Sequence, residues 1–286
     1  MAFDRFVASA SRRLKVISSP LRGGGRRWGW PRSARSAASG TTPGPSPRGE
    51  RRSISRRIAL ALVAMLAVSP ALAQSEPPKK IGIVGAGKIG STFATLWSKA
   101  GYEVLISSRH PEELKGLVES LGPKAKAGTP ADAIAFADTV LIAVPYKAYP
   151  DLRKEHGEAL TGKVVIDAGN ATKARDGEVY DEVEKEGIAA VSRKYLDGAR
   201  IVRGFNAANY KVFEKNAGRP APRMAVPIAG DDPKAIETAK TLVTDAGFDP
   251  VVVGDLKAAD RFAMRSPGFG HDLSAPEMKE KLGVSP

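Results

Sequence analysis

Short β-branched runs alternate with amphipathic stretches from Lys79 onward, which predicts an α/β domain: a doubly wound, mainly parallel sheet with helices on both faces. Three observations carry this reading. The runs "KKIGIVG", "YEVLIS", "DTVLIAVP" and "GKVVIDAG" are almost continuously apolar, as strands buried on two faces are. Glycines close the helical stretches, where a chain commonly leaves a helix. The first strand ends in "GAGKIG", Gly85 to Gly90, which matches G-x-G-x-x-G at a strand-to-helix passage.

Element by element, the first strand starts at Ile81. After the glycine turn, Ile89, Phe93, Leu96, Trp97 and Ala100 fall on one helical face, and Gly101 follows as its C′ residue. "YEVLIS" is the second strand. Pro111 opens a helix with the stripe Leu114, Leu117, Val118 and Leu121, and Gly122 stops it. A short helix around Tyr149–Leu160 separates "DTVLIAVP" from "GKVVIDAG". "ARIVRGFN", "MAVPIAG" and "DPVVVG" read as further strands. Asp231 or Asp232 caps a helix whose apolar face is Ile236, Ala239, Leu242, Val243 and Ala246. A short C-terminal extension after Asp255 holds one helix, Ala275–Leu282. The domain thus runs over 79–286, with a dinucleotide-binding core at 79–170 and the remaining strands and tail at 171–286.

The chain has 286 residues and a net charge of +13, but the excess is local. Residues 1–80 hold 16 basic and 3 acidic residues, so the remainder is balanced, with 28 of each. The folded part therefore offers no electrostatic case for a nucleic-acid partner. The absence of cysteine excludes disulfides, thiolate metal sites, iron–sulfur clusters and cysteine nucleophiles.

Residues 1–50 are rich in Arg, Ser, Gly and Pro and read as a disordered leader or an upstream extension from a misassigned start. Residues 51–73 have the three parts of a secretory signal: Arg51, Arg52, Arg56 and Arg57, an apolar run from Ile58 to Val68, and Ala71-Leu72-Ala73. The run falls short of the ~20 residues of a spanning helix, so no stable membrane span is expected after cleavage. "SRRIAL", Ser55 to Leu60, resembles a twin-arginine export motif incompletely, since Ala59 stands where a bulky apolar residue is usual. Residues 74–80 form a spacer. The expected location is periplasmic or secreted, or cytoplasmic if the start is misassigned.

The glycine sequence predicts a dinucleotide site. Gly85 allows a tight turn, Gly87 lets the backbone approach a pyrophosphate, and Gly90 lets helix and strand pack closely. The helix N-terminus then offers N–H groups to phosphate. At the end of the second strand an NAD site usually has Asp or Glu for the ribose hydroxyls. This chain has Ser107, Ser108 and Arg109 there, which suit a 2′-phosphate, so NADP(H) is expected over NAD.

These motifs, followed by "VLIAVPYKAYPDL", "RGFNAANYKVF" and "IAGDDPKAIETAKTLVTDAGFDPVVVGDL", resemble the Rossmann-type NADP oxidoreductases that act on the deazaflavin coenzyme F-420. The same domain type is similar to the reductase part of six-transmembrane metalloreductases. The resemblance covers about residues 79–260. It implies that Ala86, Gly87, Lys88 and Ile89 touch the pyrophosphate, that Ser108 and Arg109 hold the 2′-phosphate, and that Pro145 lies along the nicotinamide-side ribose. It also implies that Asn206 and its neighbour Ala207 border the second substrate. The tail lacks the longer helical C-terminus of typical family members.

The expected function is hydride transfer between NADPH and a flavin-like or deazaflavin acceptor. Such a transfer needs stacked rings and no side-chain acid, base or nucleophile. No catalytic side chain and no metal site are expected, and His110, His156 and His271 read as surface residues. The expected partner is a small-molecule electron acceptor, and a homodimer stays open. Two other readings remain: a non-catalytic NADP-binding protein, and a metal or quinone reductase using bound flavin. An imine or pyrroline carboxylate reductase would need a long helical dimerisation domain that the residues after the last strand are too few to build.

Overall fold

The computed structural model describes residues 79–285. The leader, the signal and all of the spacer before Lys79 lie outside the described residues. Eight strands form one sheet in the order β3-β2-β1-β4-β5-β6-β7-β8. They are β1 (Lys80–Val84), β2 (Glu103–Ser107), β3 (Ala125–Gly128), β4 (Thr139–Ile142), β5 (Val164–Asp167), β6 (Arg200–Arg203), β7 (Ala225–Gly230) and β8 (Asp249–Gly254). Nine α-helices accompany them in the described residues: α1 (Lys88–Lys99), α2 (Lys115–Leu121), α3 (Pro130–Phe136), α4 (Tyr149–Leu160), α5 (Lys173–Glu186), α6 (Ile188–Tyr195), α7 (Tyr210–Asn216), α8 (Pro233–Asp245) and α9 (Ala275–Leu282).

The apolar runs become strands because alternate residues enter two different cores. Ile81, Ile83, Val104, Ile106, Leu141 and Ile166 face one core, with Phe93 and Trp97 of α1 and Leu242 of α8. Leu105, Val140, Ile142 and Val165 face the other, with Ile134 of α3, Leu152 of α4 and Val191 of α6. With both faces covered, little of a strand needs to be polar. On the first face Phe93 anchors an aromatic cluster, its ring 4.2 Å from Phe205 and 5.1 Å from Phe213. Trp97 Nε1 donates to Leu242 O at 3.0 Å, which ties α1 to α8.

The sheet is parallel except between β6 and β7, which run antiparallel. The expected fold class, mainly parallel and doubly wound, is therefore what the chain adopts. Several elements were not legible. β3 is a short edge strand, "AKAG", whose composition has little β-preference. The helices α5, α6 and α7 also went unpredicted; α5 buries only Asp176 and Tyr180. The helix α3 also went unpredicted, although Thr129 and Asp132 form a capping box around Pro130 at its first position. The helix opened by Pro111 begins as a 3-10 turn, Pro111–Leu114, before α2. Its stripe is only half-buried beyond Leu114. Ala100, placed on the inward face of α1 by spacing, is exposed just past the helix end.

The tail is more built than its sequence suggests. A 3-10 segment, Leu256–Phe262, packs on β7, and Ser274 and Glu277 form a capping box for α9. Arg261 fastens the two by donating to Leu282 O at 2.7 Å and Val253 O at 3.0 Å.

Candidate functional site: the glycine turn and the cleft beside it

The three glycines of the turn differ in what a side chain would meet. Gly85 has φ +108°, a region costly for residues with a Cβ, and its Cβ would lie 2.6 Å from Ala143 O. At Gly90 a Cβ would fall inside the Gly85 carbonyl oxygen. Gly87, the N-cap of α1, has an ordinary φ of −69°, and its Cβ would meet no protein atom within 4 Å. Gly85 and Gly90 are thus required by the fold, whereas the space above Gly87 is left open. No side chain caps α1 and no acid stands in its first turn, so its N-terminal N–H groups and positive dipole end are available to an anion.

Within this turn, Ala86 borders the open space and Ile89 is half-buried against the core. The Lys88 side chain leaves the turn, its ammonium 5.7 Å from the Tyr210 ring centroid on α7. Only the backbone of Lys88 remains at the turn. A groove of about 550 Å³ runs along this side of α1, past Thr92 and Thr95, toward Tyr210 and Glu214.

On the other side of Ala86 lies a cleft of about 430 Å³ at the ends of β1, β2 and β4. Gly85, Ser107, Ser108, Arg109 and Pro145 line it together. Ser107 is fully buried and its Oγ has no partner in the protein. The Ser108 hydroxyl accepts from His110 N at 3.1 Å, and Arg109 is exposed. The far wall is one face of α4, with Asp151, Leu152, Glu155 and His156. His156, expected at the surface, has a side chain only 18% exposed and lines this cleft.

The segment carrying Pro145 is held from below by a buried polar cluster that sequence reasoning missed. Asp167 and Arg203 are aligned partners at the ends of β5 and β6 and point to the same face. Arg203 Nη1 donates to Asp167 Oδ2 at 2.7 Å, to the Tyr146 hydroxyl at 2.7 Å and to Ser192 Oγ at 3.0 Å. Its Nη2 donates to Gly169 O at 2.6 Å. The Tyr149 hydroxyl donates to Asp167 Oδ1 at 2.6 Å, and the two tyrosine rings stack at 4.2 Å. All four charged and phenolic side chains are buried. Burial raises both tyrosines above their ordinary range and Asp167 adds to it. Burial alone would lower Arg203, but the charge of Asp167 outweighs it, so the guanidinium stays charged. The readable signal was a charged residue closing each of two adjacent apolar runs, "VVID" and "RIVR".

One residue further on, Lys147 N donates to Asp176 Oδ1 at 3.1 Å. Burial pushes the Asp176 carboxyl up, but hydrogen bonds from Arg175, Thr172 N and Lys147 N outweigh it and hold it below the ordinary range.

The residues expected at the second substrate lie apart from the cleft. Asn206 follows Phe205, whose φ of +61° is unusual for a non-glycine residue, and is 1% exposed. Its amide Nδ2 makes only long contacts, 3.5 Å to Asn170 Oδ1 and 3.5 Å to Phe262 O, and its Oδ1 has no partner. Ala207 is also buried, and its carbonyl accepts from Gly270 N at 2.7 Å. Among the described residues there is no cluster of metal-ligating side chains, and no helix is long and apolar enough to cross a membrane.

A doubly wound sheet, a G-x-G-x-x-G turn with open space over its middle glycine, and a hydroxyl-cation pair at the end of β2 define an NAD(P)-binding Rossmann domain of the oxidoreductase class. Residues 80–171 match the family described as NADP oxidoreductase, coenzyme F420-dependent. The match agrees with the resemblance carried by the motifs. The chain is 27% identical over 188 residues to the metalloreductase STEAP3 of Rattus norvegicus, covering 65% of this chain and 36% of the relative. It therefore spans about a third of the length of the curated metalloreductases it matches. Among solved structures, SMa0349 of Sinorhizobium meliloti is 26% identical with a TM-score of 0.59, covering 69% of this chain and 96% of that one. A chain from Arthrobacter sp. FB24 described as an F420-dependent NADP-reductase shares the fold at a TM-score of 0.52 and 20% identity, covering 69% of this chain and all of that one.

Proposed function

We propose that the protein is an NADP(H)-dependent oxidoreductase that passes hydride between the nicotinamide and a flavin-like or deazaflavin (F-420) acceptor. The observation that supports this best is the pairing of open space above Gly87 with Ser108 and Arg109, and no carboxylate, at the end of β2. When bound, the nicotinamide supplies a hydride, two electrons and one proton together, to an acceptor ring stacked against it.

The chain's own part is binding and alignment. The turn Gly85, Ala86, Gly87, Lys88, Ile89 and Gly90 presents backbone N–H groups to the pyrophosphate, with Lys88 acting through its main chain. Arg109 and the Ser108 hydroxyl take the 2′-phosphate, and the unpartnered Ser107 Oγ lies beside them. Pro145 shares the cleft with Ser108 and Arg109. In this reading it therefore packs on the adenosine half, not along the nicotinamide-side ribose as the resemblance implies. Asn206, with Ala207 behind it, borders the acceptor beneath the segment Phe262–Met264. The partner is a small-molecule electron acceptor. The alternatives, NADP binding without turnover and a metal or quinone reductase using bound flavin, differ in what consumes NADPH.

The test has two parts. Arg109→Ala should weaken NADPH binding by about 1.5–3 kcal/mol, the worth of a charged hydrogen bond, and leave NADH binding nearly unchanged. Equal loss for both would remove Arg109 as the phosphate reader. A screen of NADPH oxidation against F-420, free flavins, quinones and ferric complexes identifies the acceptor; tight binding without turnover on any of them would overturn the enzymatic reading. Export, with cleavage after Ala73, is part of the proposal and is checked by N-terminal sequencing of fractionated protein.

A further inference from the structure

We infer that the α4 wall of the cleft reads the adenine base of the cofactor through Glu155, with Asp151 beside it, and rejects purines lacking the exocyclic amino group. The inference rests on the proposed NADP site and extends it to the base.

Arg109 stands at the β2 end of the cleft, and the opposite side carries Lys147, Asp151 and Glu155. Lys147 stands four residues before Asp151 and can offset its charge, so Glu155 is the carboxylate that would repel a purely anionic ligand. The 2′-phosphoadenosine group is matched to both: its phosphate is anionic, while the base presents an amino group that donates hydrogen bonds. Pro145 and Leu152 are among the residues lining the cleft and give it apolar surface on which a ring can pack. Its volume of about 430 Å³ lies within the ~300–1,000 Å³ of ordinary ligand sites.

Helix geometry separates the two acids. Asp151 lies in the first turn of α4, where an acid is favoured by the helix dipole regardless of any ligand. Glu155 is one turn further along the same face, past the reach of that effect. Among the described residues its charged neighbour is His156, 3.8 Å away, and both stand on the cleft wall. A carboxylate facing a phosphate-binding cleft, and not required by its own helix, is accounted for by a donor on the ligand. In hypoxanthine the amino group is a carbonyl, which would set an acceptor against Glu155 and leave both unpaired.

The experiment titrates the full chain with NADPH and with its hypoxanthine analogue, in the wild type and in Glu155→Gln. Glu155 is exposed, so the variant is expected to fold, and its melting temperature is recorded alongside. Expected is about tenfold or more tighter binding of NADPH by the wild type, since one lost hydrogen bond of typical strength to a charged group is worth at least that. In Glu155→Gln, whose amide can donate to a carbonyl, the ratio should fall to about threefold or less. Equal binding of the two ligands by the wild type would overturn the inference while leaving the cofactor site standing. So would a preference for NADPH that survives unchanged in Glu155→Gln. Binding of neither ligand would overturn the cofactor reading itself, and the inference with it.

Discussion

Replacing each turn glycine in turn by alanine should separate what the fold needs from what the ligand needs. At Gly90 the added methyl would overlap the Gly85 carbonyl, a backbone atom that cannot rotate away. Overpacking of this kind costs about 1–3 kcal/mol or more. At roughly 2–4 °C per kcal/mol for a domain of this size, the melting temperature should fall by several degrees. Gly85→Ala adds an unfavourable φ of +108° to a 2.6 Å approach to Ala143 O and should fall in the same class. Gly87→Ala is different. Its φ and ψ, −69° and −174°, suit any residue, and its methyl points into open space. Lower chain entropy in the unfolded state favours the variant by about 0.4–1 kcal/mol. Loss of a preferred N-cap offsets this by a similar amount. Stability should therefore stay within about 1 kcal/mol, a shift of no more than ~4 °C. Affinity should not. If the space above Gly87 admits the pyrophosphate, the methyl removes at least one charged hydrogen bond, worth about 1.5–3 kcal/mol, or roughly 10- to 150-fold in Kd. Melting curves by circular dichroism and NADPH titration by fluorescence read the two effects separately. A Gly87→Ala protein that binds NADPH like the wild type, or that melts as early as Gly90→Ala, would refute the reasoning.

Two further outcomes follow from the buried groups. Asp167→Asn leaves Arg203 charged and uncompensated, which should cost about 3–5 kcal/mol. The pair Asp167→Leu with Arg203→Met should cost less than Asp167→Asn alone; urea unfolding of the variants checks this, and a double variant at least as damaged would deny that the charge is the cause. Asp176 is held below the ordinary aspartate pKa of ~3.9. Its folded form therefore gains stability above that value, and loses it as pH falls through the lowered folded pKa. The gap in melting temperature between wild type and Asp176→Asn should be open at pH 7 and close below about pH 4. A gap that stays constant to pH 2.5 would show that Asp176 acts without its charge.

The strands on which the site is built were legible because they are buried on both faces and therefore apolar throughout. Tyr149–Leu160 and Ala275–Leu282 were legible from helix spacing and end signals. The roles of Gly85 and Gly90 in the fold were legible because they are set by backbone geometry, which one sequence can state. What escaped notice depends on contacts distant in the chain. The apolar run that Arg203 closes is its one local mark; its burial is tolerated only because a compensating charge stands 36 residues away at Asp167. His156 reads as an isolated histidine until α4 stands across the cleft from the ends of β1 and β2. The β3 strand has almost no apolar pattern, because only Ala125 and Gly128 turn inward. The reversal of β7 is likewise invisible, as a strand's direction leaves little trace in its residues.

The two sides of the site are held by interactions of different strength, and this bears on how it works. On the cofactor side the turn is fixed by steric contact at Gly85 and Gly90. The Pro145 segment is fixed by bonds of 2.6–2.7 Å from Arg203, Tyr149 and their partners to groups with no access to water. Such a cleft is preorganised, so little ordering cost falls on the ligand. Around Asn206 the opposite holds. Met264 N reaches Asn170 Oδ1 at 3.3 Å, and both bonds from Asn206 Nδ2 are 3.5 Å, at the weak end of hydrogen-bond geometry. Asn206 Oδ1 has no partner at all, an expense that a buried amide seldom bears. Under the proposed function, a rigid cofactor cleft and a loosely satisfied region around Asn206 suit an enzyme that holds one ring still while a second ring arrives and leaves. The tail is firmly held elsewhere, Gly270 N to Ala207 O at 2.7 Å and Arg261 to Leu282 O at 2.7 Å, so its loose contacts at Asn206 are confined to the place where the proposed acceptor would enter.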